Sequence, residues 1–228
     1  METQIIQPEF KPTFREGTWD EGIWNEASQY AGYRVSDLIG KTVVDIGAHI
    51  GAFTRYAYDF GAKEIHSYEA WVENFEVLQK NTEGCENVHI HNKAVWKSRS
   101  RIRNVYYHDD FDHTNTGGGG VFEGTGIGRE VGTIGLDDII DRVGVIDLLK
   151  IDAEASEFPI LYTSTKLSEV RAIVGEYHHG MSHATLPVNG QDLRFVIEDL
   201  CVFLRDEGYW VAVEPFSDDI GKFAAFRL

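Results

Sequence analysis

The chain has 228 residues, of which 43% are hydrophobic and 25% charged, enough for one α/β domain with its own apolar core. Lys and Arg number 21 against 37 Asp and Glu, a formal charge of −16, which speaks against a nucleic-acid binder, since those displace counterions with a basic face. Cys85 and Cys201 show neither disulfide nor zinc spacing, no apolar stretch approaches a membrane span, and the first residues lack a signal-peptide core, so a cytoplasmic protein is expected.

Residues 1–40 read as an N-terminal arm of the same domain, with some helix and with Trp19, Ile23, Trp24, Tyr30 and Val35 as scattered anchors. The main part of the domain spans 41–228. Residues 42–46 form a buried-strand run, and Ile50, Phe53, Ala57 and Phe60 follow at helical spacing before Gly61. A second strand is expected over 64–68, then a helix marked by Trp71, Phe75 and Leu78. Residues 88–91 and 94–96 give a third strand and its exit, and 101–107 a further edge strand. Residues 108–128 contain four consecutive glycines from Gly117, a run that reads as a mobile loop, either a lid or a plain insertion.

A short helix is expected over 134–143, and 146–151 is the most hydrophobic strand, suited to the sheet centre. A helix over 156–162 and a strand over 170–175 follow. Leu193, Val196, Ile197, Leu200, Phe203 and Leu204 form an amphipathic stripe stopped at Gly208. Strands over 210–213 and 223–228 are joined too closely for a parallel crossover and should form an antiparallel hairpin. The alternation predicts a mostly parallel α/β sheet with helices on both faces.

Asp45 ends the first strand, and Gly47 and Gly51 flank the turn into the first helix. Glycines there let the backbone approach a ligand, and the helix start adds free N–H groups. The spacing lacks the middle glycine that makes room for a dinucleotide pyrophosphate, which disfavours an NAD-dependent dehydrogenase. An acid aimed into the crevice would instead suit a cationic ligand such as S-adenosylmethionine. Glu69 closes the second strand, where a carboxylate can accept both hydroxyls of a ribose.

The blocks Val43-Val44-Asp45-Ile46-Gly47-Ala48-His49-Ile50-Gly51, Tyr68-Glu69-Ala70, Asn92-Lys93-Ala94-Val95, Gly135-Leu136-Asp137-Asp138 and Leu149-Lys150-Ile151-Asp152-Ala153-Glu154 resemble the FkbM-type methyltransferases. The resemblance implies a Rossmann-like class I methyltransferase fold, with a seven-stranded sheet ending in the antiparallel hairpin. It implies S-adenosyl-L-methionine as methyl donor, S-adenosyl-L-homocysteine as product, and transfer to a hydroxyl oxygen of a sugar, glycan or natural product. It further implies that Gly47, Ala48, His49 and Gly51 hold the methionine portion, Glu69 and Ala70 the ribose side, and Asn92 with Ala94 the adenine side. Two departures stand out. Ala155 replaces a family glycine, which a positive φ would strain, and His49 stands where the family often has asparagine.

Methyl transfer to a hydroxyl requires alignment and removal of a proton. Candidate bases belong at the C-terminal ends of the central strands. Glu154, Glu176 and His178 are the expected acid–base group, with Asp152 nearer the donor's amino group. A divalent metal is the less favoured alternative: His178, His179 and His183 could join Asp152 or Glu176. Asp109, Asp110, Asp112 and His113 read better as a solvated loop than as a cation site, and Lys97 to Arg103 as a solvated basic run. Methylation of nitrogen on the same fold, or donor binding without catalysis, stay open. Neither the acceptor nor the oligomeric state follows from the residues.

Overall fold

The fold is that of a computed structural model, which describes residues 10–26, 35, 37–100, 104–108, 114–122, 128–179 and 184–227. In chain order come α1 (Asp20–Glu26), β1 (Thr42–Ile46), α2 (Ala52–Asp59), β2 (Glu64–Glu69), α3 (Val72–Asn81), β3 (Val88–Asn92), β4 (Ala94–Trp96), β5 (Asn104–His108), β6 (Gly120–Phe122) and β7 (Arg129–Gly135). There follow α4 (Leu136–Val143), β8 (Leu148–Ile151), α5 (Glu157–Thr163), β9 (Ala172–His178), β10 (Thr185–Val188), β11 (Gln191–Arg194), α6 (Ile197–Asp206), β12 (Tyr209–Pro215) and β13 (Ile220–Arg227).

The main sheet has seven strands in the order β12-β13-β9-β8-β1-β2-β3. Strands β9, β8, β1, β2 and β3 pair in parallel, while β13 runs antiparallel to both β9 and β12. The expected closing hairpin is therefore present, and its second strand inserts between the first and the parallel set. Strand β1 explains why the sheet centre reads as an unbroken apolar run. Val43 packs on one face with Phe53, Ala57, Ile65 and Leu148, and Val44 and Ile46 on the other with Leu149, Ile151 and helices α4, α5 and α6. Both faces are covered, so alternation disappears.

Several boundaries differ from the sequence expectation. Ile134 lies in β7, and α4 starts at Leu136, whose first turn carries Asp137 and Asp138. Leu193 belongs to β11, which pairs with β10, and the amphipathic helix begins only at Ile197. Residues 94–96 leave the main sheet for a second one, ordered β4-β7-β5-β6. Within the glycine-rich stretch, Gly120–Phe122 form β6 and pair with β5, while residues 114–119 carry no strand. Tyr30, Arg101 to Arg103, Asp109, Asp110, Asp112, His113 and His183 lie outside the described residues. Among the described residues no helix is long and apolar enough to cross a membrane.

Candidate active site

Strand β1 is flanked by β2 on one side and β8 on the other, so its C-terminal end is the point where chain connections diverge. Open α/β sheets bind ligands in the crevice at such a point. A cavity of about 420 Å³ opens there, its floor formed by Gly47, His49, Glu69, Asp152, Glu154 and Glu176. Its roof comes from elsewhere: Trp19 and Ile23 from the N-terminal arm, and residues 117–119 of the glycine run.

Gly47 fixes how close the two central turns lie. Its φ is +72°, and a Cβ there would sit 1.8 Å from the carbonyl oxygen of Asp152. No side chain fits, so the β1 turn rests directly on the β8 turn. Asp45 does not face the cavity, contrary to the sequence expectation. It is fully buried beneath the turn, accepting a 2.7 Å hydrogen bond from Thr54 Oγ1 and lying 3.2 Å from Lys150 Nζ. Lys150 in turn donates to the Gly47 carbonyl at 2.7 Å. Burial acts to lower the lysine's pKa, but Asp45 and Asp152 outweigh it and the net shift is upward. Sequence reasoning gave Lys150 no role, although a lysine inside the most apolar strand was the signal.

Glu69 joins the first two turns. One carboxylate oxygen accepts the His49 N–H and the other the Trp71 N–H, each at 2.8 Å. Asn74 also bonds the carboxylate, and the lone pairs left over can accept a ligand hydroxyl. Burial raises the Glu69 pKa, opposed by these two N–H donors and by Lys150.

His49 is held in its neutral form. Thr116 Oγ1 donates to Asp20 Oδ1 at 2.8 Å, so at 2.9 Å it must accept from His49 Nε2. Burial lowers the His49 pKa to about 4, Asp20 opposing and Arg15 and Lys150 reinforcing. With its proton on Nε2, the buried Nδ1 is an acceptor that no donor among the described residues meets. Asp20 is itself buried; desolvation is overcome by Arg15 and Thr116, which bring its pKa down to about 2. This network, which also ties Arg15 to Asn74 Oδ1 at 2.7 Å, fastens the arm over the crevice.

Ala48 is buried in the turn. Ala70 and Ala94 line the cavity, as does Lys93. Asn92 does not: its amide donates to the Glu69 and Ala70 carbonyls at 3.0 and 3.1 Å, and it borders a separate small recess. It shapes the turn from behind.

The expected acid–base group does converge. His178 Nε2 lies 3.6 Å from Glu154 and 3.7 Å from Glu176, and Nδ1 lies 3.4 Å from Glu157. Burial raises the Glu154 pKa to about 8, partly offset by His178 and reinforced by Asp152, Glu157 and Glu176. Glu176 is raised by burial and Asp152 to about 7. Burial would lower His178, but Glu157, Glu154 and Asp152 carry it up to about 10. Fully buried Glu157, which also accepts the Ala153 N–H at 2.6 Å, escaped the sequence reading. Its place in the first turn of a helix next to the Asp152–Glu154 block was the available clue. Glu154 and Ala155 both have positive φ, 50° and 72°, so the strain expected of an alanine at this family glycine is present.

The donor side suits S-adenosylmethionine. A cavity of this size holds a drug-sized ligand, Glu69 keeps acceptor sites for ribose hydroxyls, and the unmet His49 Nδ1 and the Asp152 carboxylate suit a cationic amino group.

Strand order, hairpin and crevice define a Rossmann-like methyltransferase fold. A precorrin-6Y C5,15-methyltransferase from Geobacter metallireducens GS-15 has the same fold at TM-score 0.54 and 11% identity, over 96% of this chain and 95% of that one. An rRNA methylase from Streptococcus thermophilus gives 0.54 at 8% identity, over 88% and 95% of the two chains. A precorrin 8w decarboxylase from Methanobacterium thermoautotrophicum gives 0.51 at 9%, over 88% and 89%. No curated protein matches the sequence significantly. A family model described as the methyltransferase FkbM domain matches residues 45–211. The chain belongs to the FkbM methyltransferase family, and is thus an S-adenosylmethionine-dependent methyltransferase.

Proposed function

We propose that the chain methylates a hydroxyl oxygen on a sugar, glycan or small natural product. The carrying observation is that Glu154 and Glu176 line the cavity that the donor turn also lines, with His178 Nε2 beside them at 3.6 and 3.7 Å. S-adenosylmethionine supplies an electrophilic methyl carbon on a sulfonium. The C–O bond forms as the C–S bond breaks with its electron pair staying on sulfur, and the hydroxyl proton passes to the Glu154–Glu176 carboxylate pair. Their raised pKa values make them stronger bases than ordinary carboxylates. A neutral amine attacks without first losing a proton, so a basic pair at this position favours oxygen over nitrogen. Trp19, 57% exposed at the rim, offers a flat apolar face to a sugar ring. The formal charge of −16 supports a small neutral or glycan acceptor over nucleic acid. Gly47, Ala48, His49, Gly51, Glu69, Ala70, Ala94 and Asp152 are assigned to the donor.

A labelled methyl donor, incubated with a panel of glycans, hydroxylated metabolites and amines, tests this reading. Label should enter hydroxyl acceptors, and Glu154→Gln should cost about 100-fold or more in kcat with the affinity for S-adenosylhomocysteine kept. Label appearing only in amines would reject it.

A further inference from the structure

We propose that one face of the β2–β3 strand pair, at the end of the sheet away from the crevice, binds Zn²⁺ through Nε2 of His66, Nε2 of His89 and Oε1 of Glu64. The arrangement follows from strand periodicity. Side chains two residues apart share a face of a strand, so Glu64, His66 and Tyr68 of β2 share one, as do His89 and His91 of β3. The parallel register pairs His66 with His89 and Tyr68 with His91, which brings the two sets together. Glu64 begins β2 and Glu69 ends it, so at about 3.3 Å per residue roughly 16 Å of strand separates this cluster from the ribose carboxylate.

The distances suit a small tetrahedral ion. Glu64 Oε1 lies 3.0 Å from His66 Nε2 and 3.8 Å from His89 Nε2, and one ligand atom from each of the three residues lies within 4.8 Å of the other two. Zn²⁺ with bonds of about 2.0–2.1 Å spaces tetrahedral ligands about 3.4 Å apart, so small side-chain adjustments close the site. Two imidazoles and one carboxylate select zinc over Ca²⁺ or Mg²⁺, which take oxygen. His66 is largely covered, whereas His89 is 48% exposed, which gives the ion an entry path and leaves a fourth position for water. A Glu64–His66 hydrogen bond alone would leave the second imidazole on the same oxygen unexplained.

Ring stacking supplies an independent argument. His66 stacks on His89 at 4.8 Å and on His91 at 6.0 Å, and His91 in turn stacks on Tyr68 at 4.6 Å. The imidazole planes are therefore set before an ion arrives, which lowers the ordering cost of binding. A metal takes a neutral imidazole. Burial lowers the His66 pKa, Glu64 opposing and His89 reinforcing, and burial, His66 and Arg142 bring that of His91 down to about 4. Strand β3 is the outermost strand of the main sheet. An ion shared by His66 and His89 clips this edge to β2 and stabilises the folded chain by mass action. The site stands apart from the proposed methyl transfer.

The test compares the full chain with His89→Ala and Glu64→Gln after chelator treatment, so that any ion bound elsewhere cancels. At the same free Zn²⁺ the wild type should hold one equivalent more than either variant, each of which should bind at this site at least tenfold more weakly. With Co²⁺ as the probe, the spectrum of the wild type minus that of His89→Ala should show the intense visible band of a tetrahedral ion. Zn²⁺ should raise the melting midpoint of the wild type by more than that of either variant. S-adenosylhomocysteine should bind all three proteins equally, which shows that the variants are folded and that the cluster is separate from the donor site. Equal Zn²⁺ stoichiometry in wild type and variants overturns the site, as does a Co²⁺ difference spectrum without the tetrahedral band. So does a bound ion that is lost in His178→Ala but kept in His89→Ala, which would place it in the crevice.

Discussion

His49 Nε2 lies 2.9 Å from Thr116 Oγ1, and through that hydroxyl the donor turn is latched to Asp20 of the N-terminal arm. The latch needs only the proton on Nε2; it is burial that keeps the imidazole neutral. With its pKa lowered to about 4 in the fold against 6.5 ordinarily, His49 favours folding fully above pH 6.5. That contribution fades as pH falls toward 4. At about 1.4 kcal/mol per pH unit the loss approaches roughly 3 kcal/mol. Melting curves from pH 7 to pH 4 should show the wild type losing more stability than His49→Asn, which cannot take up the proton. Parallel curves would break the assignment.

Glu69 holds two backbone N–H groups and faces the cavity. Glu69→Ala should weaken S-adenosylhomocysteine at least tenfold by calorimetry, and cost about 1–3 kcal/mol of stability as the two donors lose their acceptor. An unchanged affinity would take the ribose role away from Glu69.

Lys150→Met strands the buried Asp45 carboxylate without its cation. Chemical denaturation should show a loss of about 3–5 kcal/mol, partly recovered in the double variant with Asp45→Asn. Equal stability of the single variant and wild type would show that the Asp45–Lys150 pair does not hold the fold together.

Ala155 sits at φ +72°. Glycine relieves about 1–2 kcal/mol of left-handed strain but gives back part of it as chain entropy. Ala155→Gly should therefore raise stability by about 0.5–1 kcal/mol, read as a higher melting midpoint. A lower midpoint would show that the alanine methyl's packing outweighs the strain.

The central strands were legible because burial on both faces leaves an apolar run, and Gly47 and Glu69 because their spacing follows the turn-and-strand geometry. Asp45 was misplaced: sequence puts an acid at a strand end but not on one side of it, and Thr54 and Lys150 decide the side. Asn92 misled for the same reason, its amide being turned back onto the Glu69 carbonyl. The second sheet was hidden because Arg129 to Gly135 pairs with residues remote in sequence and has too few apolar positions to show a period. The roof was illegible altogether, since a tryptophan near the N-terminus and a glycine run nearly a hundred residues later meet only in three dimensions.

With Gly47 seated on the Asp152 carbonyl, the donor and acceptor turns are locked into one rigid pair, and neither can drift to suit a new substrate. Room for a bulkier or slimmer acceptor has to be found overhead, where Trp19, Ile23 and residues 117–119 enclose the space without belonging to either turn. Across related chains, changes in substrate preference should therefore track the arm and the glycine run, while the floor stays the same. Exchanging those two segments between relatives is the direct route to redirecting the enzyme.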